Sequence, residues 1–163
     1  TGYAAFDGPF VIRYPRGKGE MKDWRNEMQV LPIGKGKKLR DGDDIAVLSI
    51  GPIGNEVIKA IEMVKEERVS IAHYDMIYLK PLDEELLHEI GQKYNRIITV
   101  ENGVIKGGFG SAVLEFMADN GYTPHVKRIG VPDAFIEHGS IPELYQLCGM
   151  DAESIAKQLK KEN

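Results

Sequence analysis

The sequence predicts an open α/β fold, a mostly parallel sheet with helices on both faces. Three observations carry that prediction. Short apolar runs alternate with stretches of helical period along most of the chain. Two of the runs, IAVLSI (45–50) and IITV (97–100), lack polar alternation, as strands covered on both faces do. The connections between runs and helical stretches are short, which suits right-handed strand–helix–strand crossovers. A chain of 163 residues is one domain and a fraction. A domain of this size buries roughly 70% of its unfolded surface, enough for a two-sided core.

Residues 1–17 read as the end of something else. Pro9 to Ile12 is a short extended apolar run leading into Arg13-Tyr14-Pro15-Arg16-Gly17, the last strand of a preceding domain. Residues 18–32 mix Lys, Glu, Asp and Asn with one Trp and show no period, so they read as a linker. The remaining domain, 33–163, opens with GKGKKLRDGDD, a short basic strand whose lysines suit a sheet edge. The Asp41-Gly42 pair by itself signals a hairpin to the next strand.

Strand IAVLSI follows, then a helix with Ile53, Val57, Ile61 and Val64 on one face. Strand VSIAHY (69–74) precedes a helix bearing Leu82, Leu86, Leu87 and Ile90. That helix is opened by Asp83-Glu84-Glu85, acids suited to a helix N-terminus. Strand IITV leads to a third helix with Phe109, Ala112, Val113, Phe116 and Met117 on its apolar side. After strand HVKRI (125–129), Ser140-Ile141-Pro142-Glu143 forms a capping box with proline in the first turn. Asp151 starts the last amphipathic helix, which runs through Leu159.

Composition narrows the function classes. The 21 basic and 25 acidic residues give a net charge of −4, against a general nucleic-acid or anionic-membrane surface. The single cysteine, Cys148, sits in an apolar helical stretch and reads as core filler. No run is long enough to span a membrane, and TGYAAFDG has no signal-peptide character, so a cytoplasmic protein is expected.

Open α/β sheets bind ligands at the carboxyl ends of their strands. The loops there are 51–55, 74–75, 101–110 and 130–133. In ENGVIKGGFGSA, Gly107, Gly108 and Gly110 lie where a helix begins, and helix N-terminal amides can hold an anion. The spacing is not the dinucleotide fingerprint, so ligand contact and close packing both stay open. His138 precedes the capping serine and is a candidate to face a cleft. His73, His88 and His125 lack metal-site spacing and read as packing or surface residues. Asp75 and Glu101 end neighbouring strands, placed either for acid–base work or for hydrogen bonding to another domain. Arg13 and Arg16, three apart on an extended segment, point to opposite sides. Each guanidinium fork fits phosphate oxygens or a carboxylate of an adjoining domain.

Five motifs taken together carry a family resemblance: GPFVIRYPRG, LPIGKG, YLKPLDEELL, VENGVIKGGFGSAVLE and IGVPDAFIEHGS. In this order and spacing they resemble the C-terminal third of the 1-deoxy-D-xylulose-5-phosphate synthase family. The resemblance implies an enzyme that condenses pyruvate with glyceraldehyde 3-phosphate, with loss of carbon dioxide, for isoprenoid, thiamine and pyridoxal synthesis. It implies thiamine diphosphate and magnesium held by N-terminal and middle domains outside this chain, with no cofactor or metal on the chain itself. It also implies a homodimer and a three-layer α/β/α domain with a five-stranded, mostly parallel sheet and one antiparallel edge strand. That strand order conflicts with a hairpin at Asp41-Gly42. The resemblance assigns Arg16 to the phosphate of the acceptor aldehyde and gives Arg13 no ligand role. The chain alone is expected to be inactive, supplying inter-domain and dimer surface.

Two other readings compete. One is another thiamine-dependent enzyme, a transketolase or a 2-oxo-acid dehydrogenase β-subunit, which would use a different donor. The other is a stand-alone α/β module that binds an anion or a protein partner without chemistry.

Overall fold

A computed structural model of the chain describes residues 1–5, 7–12, 14, 25 and 27–160. It divides into two units, residues 1–33 and 34–163. In the first, Gly2–Ala5 forms a single helical turn, α1, and residues 9–12 are irregular. Val11 and Ile12 are 91% and 71% exposed. Leu31 donates its amide to Thr1 Oγ1 at 2.9 Å, and residues 27–33 are irregular and exposed. Arg13, Arg16 and most of the expected linker lie outside the described residues.

The second unit contains five strands: β1 (Lys37–Arg40), β2 (Ile45–Ile50), β3 (Ile71–Asp75), β4 (Arg96–Val104) and β5 (His125–Val131). Its helices are α2 (Gly54–Met63), α3 (Glu84–Lys93), α4 (Phe109–Asp119), α5 (Ile141–Leu147) and α6 (Ala152–Leu159). The strands lie in the order β1-β3-β2-β4-β5. β2 pairs in parallel with β3 and β4, and β4 with β5, while β1 runs antiparallel to β3. This is the five-stranded mixed sheet, and every expected strand and helix of the domain is present.

Alternation along the strands builds two cores. Val47, Ile71, Ile98 and Val100 face α2 and α6, packing on Val57, Ile61 and Ile155. Ala46, Leu48, Ala72, Tyr74 and Ile97 face α3 and α4, packing on Leu87, Ile90, Phe109 and Val113. Each strand therefore needs apolar residues on both sides, which is why the central runs carry no polar alternation. The helix starts follow local rules. Asp83 accepts from the Leu86 amide at 3.2 Å, and Asp151 from the Ser154 amide at 3.2 Å. At α5 the Glu143 carboxylate closes back on Ser140, taking its amide at 2.9 Å and its hydroxyl at 2.6 Å.

The hairpin at Asp41-Gly42 does not form. β1 pairs with β3, which lies between it and its sequence neighbour β2, and Gly42 is not among the positive-φ glycines. A type I′ turn would require that conformation. Gly42 serves close approach instead: a Cβ there would overlap the Ile71–Ala72 backbone. Its carbonyl accepts from the buried Tyr94 hydroxyl at 2.6 Å and from Lys93 Nζ at 2.9 Å. β3 both starts and ends later than expected, at Ile71 and Asp75, and β4 runs on to Val104 through a register shift after Val100.

Candidate functional site

The carboxyl ends of β2, β4 and β5 carry the loops where an open sheet places its ligands. The glycine-rich loop between β4 and α4 is organised by one buried side chain. Glu101 is 4% exposed and sits on the α4 side of β4. Its Oε2 accepts from the Phe109 amide and its Oε1 from the Gly110 amide, both at 2.8 Å. The carboxylate thus occupies the first-turn donors of α4, where the helix dipole favours a negative charge. Gly108 is needed because a Cβ there would overlap the Glu101 carboxylate and the Val104 carbonyl.

A second group locks the same loop from the other side. Arg128 Nη1 donates to the Ile105 carbonyl at 2.7 Å and to Ser111 Oγ at 2.8 Å. Ser111 Oγ donates to the Ile105 carbonyl at 3.1 Å and accepts from the Gly107 amide at 3.0 Å. The Ile105 amide donates to the Val131 carbonyl at 3.0 Å, and Lys106 pairs with Asp133 at 3.0 Å. Residues 102–108 are therefore fixed to both α4 and β5.

Of the residues singled out from the sequence, Gly108 packs on Glu101, while Gly107 is exposed with a positive φ and a satisfied amide. His138 is exposed on the irregular segment between β5 and α5. Asp75 and Glu101 are not brought together, because β2 lies between β3 and β4. Asp75 Oδ1 accepts from the Ile77 amide at 3.1 Å, and burial raises its carboxyl above the ordinary range. His88 packs edge-on against Phe116, and its Nδ1 lies 3.0 Å from the Tyr122 hydroxyl. Arg16 lies outside the described residues.

Sequence reasoning missed one polar pair. Ser49 Oγ and His73 Nε2 are 2.8 Å apart beneath α2, and each residue is 1% exposed. Burial lowers the His73 imidazole from 6.5 to about 4, so it is neutral near pH 7. The pair resembles a nucleophile and base, but both side chains are buried, with only His73 among the residues lining a neighbouring cleft beside Leu39, Arg40, Ile58 and Glu62. The available signal was register: Val47, Ser49, His73 and Asp75 share one face of the paired strands β2 and β3.

Beside the loop lies a cleft of about 260 Å³ whose walls include Val131, Ile136, Leu144 and Met150, with Asn102 and Tyr145 also lining it. Cys148 lines it too, half-buried at the end of α5. Among the described residues no group of three His, Cys, Asp or Glu side chains could hold a metal ion. The amides at the start of α4 that a diphosphate could use are already bound to Glu101. The described residues do not fit thiamine diphosphate and magnesium, and no step of that chemistry is assigned to them.

The sheet order, the helices on both faces and the strand-end loops define a class, and residues 34–155 match the model of the transketolase C-terminal domain. The chain belongs to that family. It is 61% identical over 156 residues to the 1-deoxy-D-xylulose-5-phosphate synthase of Bacteroides thetaiotaomicron, covering 95% of this chain and 24% of that protein. The synthase of Porphyromonas gingivalis is 59% identical over 155 residues, with the same coverage of 95% and 24%. The chain thus spans about a quarter of the length of these relatives. Among solved structures, a split-gene transketolase described as an inactive beta4 tetramer superposes with a TM-score of 0.71 at 30% identity. That match covers 80% of this chain and 45% of the other. Transketolase from Leishmania mexicana, at 14% identity and a TM-score of 0.56, shares the fold over 77% of this chain and 17% of its own.

Proposed function

We propose that the chain is the C-terminal part of a cytoplasmic, homodimeric 1-deoxy-D-xylulose-5-phosphate synthase that joins pyruvate to glyceraldehyde 3-phosphate with release of carbon dioxide. The observation that carries this is the 61% identity to such a synthase along 95% of the chain. Thiamine diphosphate and magnesium belong to the preceding domains of the complete polypeptide, where the decarboxylation takes place. Residues 1–17 are the end of the middle domain and 18–32 its linker. The exposure of Val11 and Ile12 supports this, since apolar side chains left in water call for a covering surface.

Arg16 supplies the one substrate contact from this chain. Gripping the acceptor's phosphate far from the reacting carbonyl converts remote binding energy into orientation of the aldehyde. Gly107, Gly108 and His138 lie at the strand-end surface and contribute contacts to the adjoining domain. The complete polypeptide, given pyruvate and glyceraldehyde 3-phosphate with thiamine diphosphate and magnesium, is expected to form 1-deoxyxylulose 5-phosphate. Turnover only with a ketose phosphate donor would make it a transketolase instead.

A further inference from the structure

We propose that the cleft between the edge strand β1 and α2 binds a small neutral molecule carrying one apolar ring and a hydroxyl, with His73 as its polar anchor. The site uses none of the residues assigned to the synthase reaction.

The cleft has a volume of about 250 Å³ and is lined by Leu39, Arg40, Ile58, Ile61, Glu62 and His73. It exists because α2 and α6 pack over the inner strands, while every residue of β1 stays exposed. A bulge in β1 turns two side chains towards it. Leu39 is the extra residue between Lys38, which pairs with Tyr74, and Arg40, which pairs with His73. Bulges recur beside binding sites because they re-aim side chains in this way. Leu39 on one wall and Ile58 on the other are both partly exposed, so the apolar walls are open to solvent.

The His73 ring brings a polar atom with no protein partner to this cleft. Its Nε2 is taken up by Ser49 Oγ, and no described residue hydrogen-bonds its Nδ1. Nor is Nδ1 among the sealed polar atoms that lack a partner, which are Thr99 Oγ1 and Asp151 Oδ1 among the described residues. Nδ1 therefore reaches accessible space, and the accessible space that His73 lines is the cleft. The ring is neutral near pH 7, so Nδ1 carries a lone pair in one tautomer and a proton in the other. A hydroxyl serves both, because it donates to the first and accepts from the second.

The walls set the rest of the ligand. Leu39, Ile58 and Ile61 offer apolar contact to a ring. Arg40 Nη1 lies 3.6 Å from Glu62 Oε1, linking β1 to α2. These two charges offset each other, so the cleft favours neither an anion nor a cation. Pockets for drug-sized ligands run to roughly 300–1,000 Å³, so this one takes a single ring.

The test is ligand-observed fluorine NMR on the complete native polypeptide, with 4-fluorophenol and 4-fluorotoluene as probes. The two differ only in a hydroxyl against a methyl group. 4-Fluorophenol is expected to bind with a Kd on the order of a millimolar, and 4-fluorotoluene about tenfold more weakly, the worth of one hydrogen bond. Ile58→Trp, at a partly exposed position, fills the cleft and is expected to weaken 4-fluorophenol at least about tenfold. His73→Phe is expected to erase the difference between the probes. Where that variant does not fold, the probe pair and Ile58→Trp still decide. Equal affinity of the native protein for both probes would overturn His73 as the anchor. No saturable binding of 4-fluorophenol up to about 10 mM, or binding that Ile58→Trp leaves unchanged, would overturn the site.

Discussion

Glu101 contributes through charge as well as shape. Both of its oxygens accept amide hydrogen bonds at 2.8 Å, and hydrogen bonds to a charged group are worth about 1.5–3 kcal/mol each. Glu101→Gln keeps the volume but replaces one acceptor with a donor facing a donor. We expect it to destabilise the chain by about 2–3 kcal/mol in urea unfolding. A loss below about 0.5 kcal/mol would mean the α4 amides find other partners. This contact spans eight and nine residues, so no local rule exposes it. Its only trace in the sequence is an acid at the end of an apolar run, followed by glycines ahead of a helix.

At the scale of elements, local chemistry was readable and pairing was not. The helix starts at Asp83, Ser140 and Asp151 follow from side chains three residues from the groups they bind. The bare strands β2 and β4 follow from burial on both faces. The edge strand β1 is different, because Asp41-Gly42 carries the local signal of a turn while the long-range contact decides. The β3 backbone leaves no room at position 42 for a side chain, and the Tyr94 hydroxyl takes its carbonyl. Gly42→Ala is therefore expected to cost about 2–4 kcal/mol and to release β1 to fast amide exchange, as overpacking against backbone does. A hairpin turn would tolerate alanine at a smaller cost, with β1 exchange unchanged, and that outcome would contradict the observed pairing.

For the whole molecule, the pH dependence of stability follows from the buried His73. Its folded-state value of about 4 lies below the unfolded 6.5, so the folded chain holds the neutral ring. The stabilisation is complete above pH 6.5 and is lost as pH falls towards 4, about 3 kcal/mol in all. Asp75, raised by burial, works in the opposite direction at the acid end, so the comparison needs a variant. The stability difference between the native chain and His73→Gln should shrink by about 3 kcal/mol from pH 7 to pH 4. Parallel profiles would contradict a neutral buried ring. The Ser49–His73 pair escaped sequence reasoning because strand register, set by the whole sheet, brings the two residues together. Function was legible for another reason: five motifs in fixed order across the chain identified the family, although no described residue displays its chemistry.

If Arg16 grips the acceptor's phosphate as proposed, two-substrate kinetics of Arg16→Ala in the complete polypeptide will show it. Loss of a charged phosphate contact should lower kcat/KM for glyceraldehyde 3-phosphate by about 10²-fold while leaving the KM for pyruvate within about threefold. Equal losses for both substrates, or none, would contradict it.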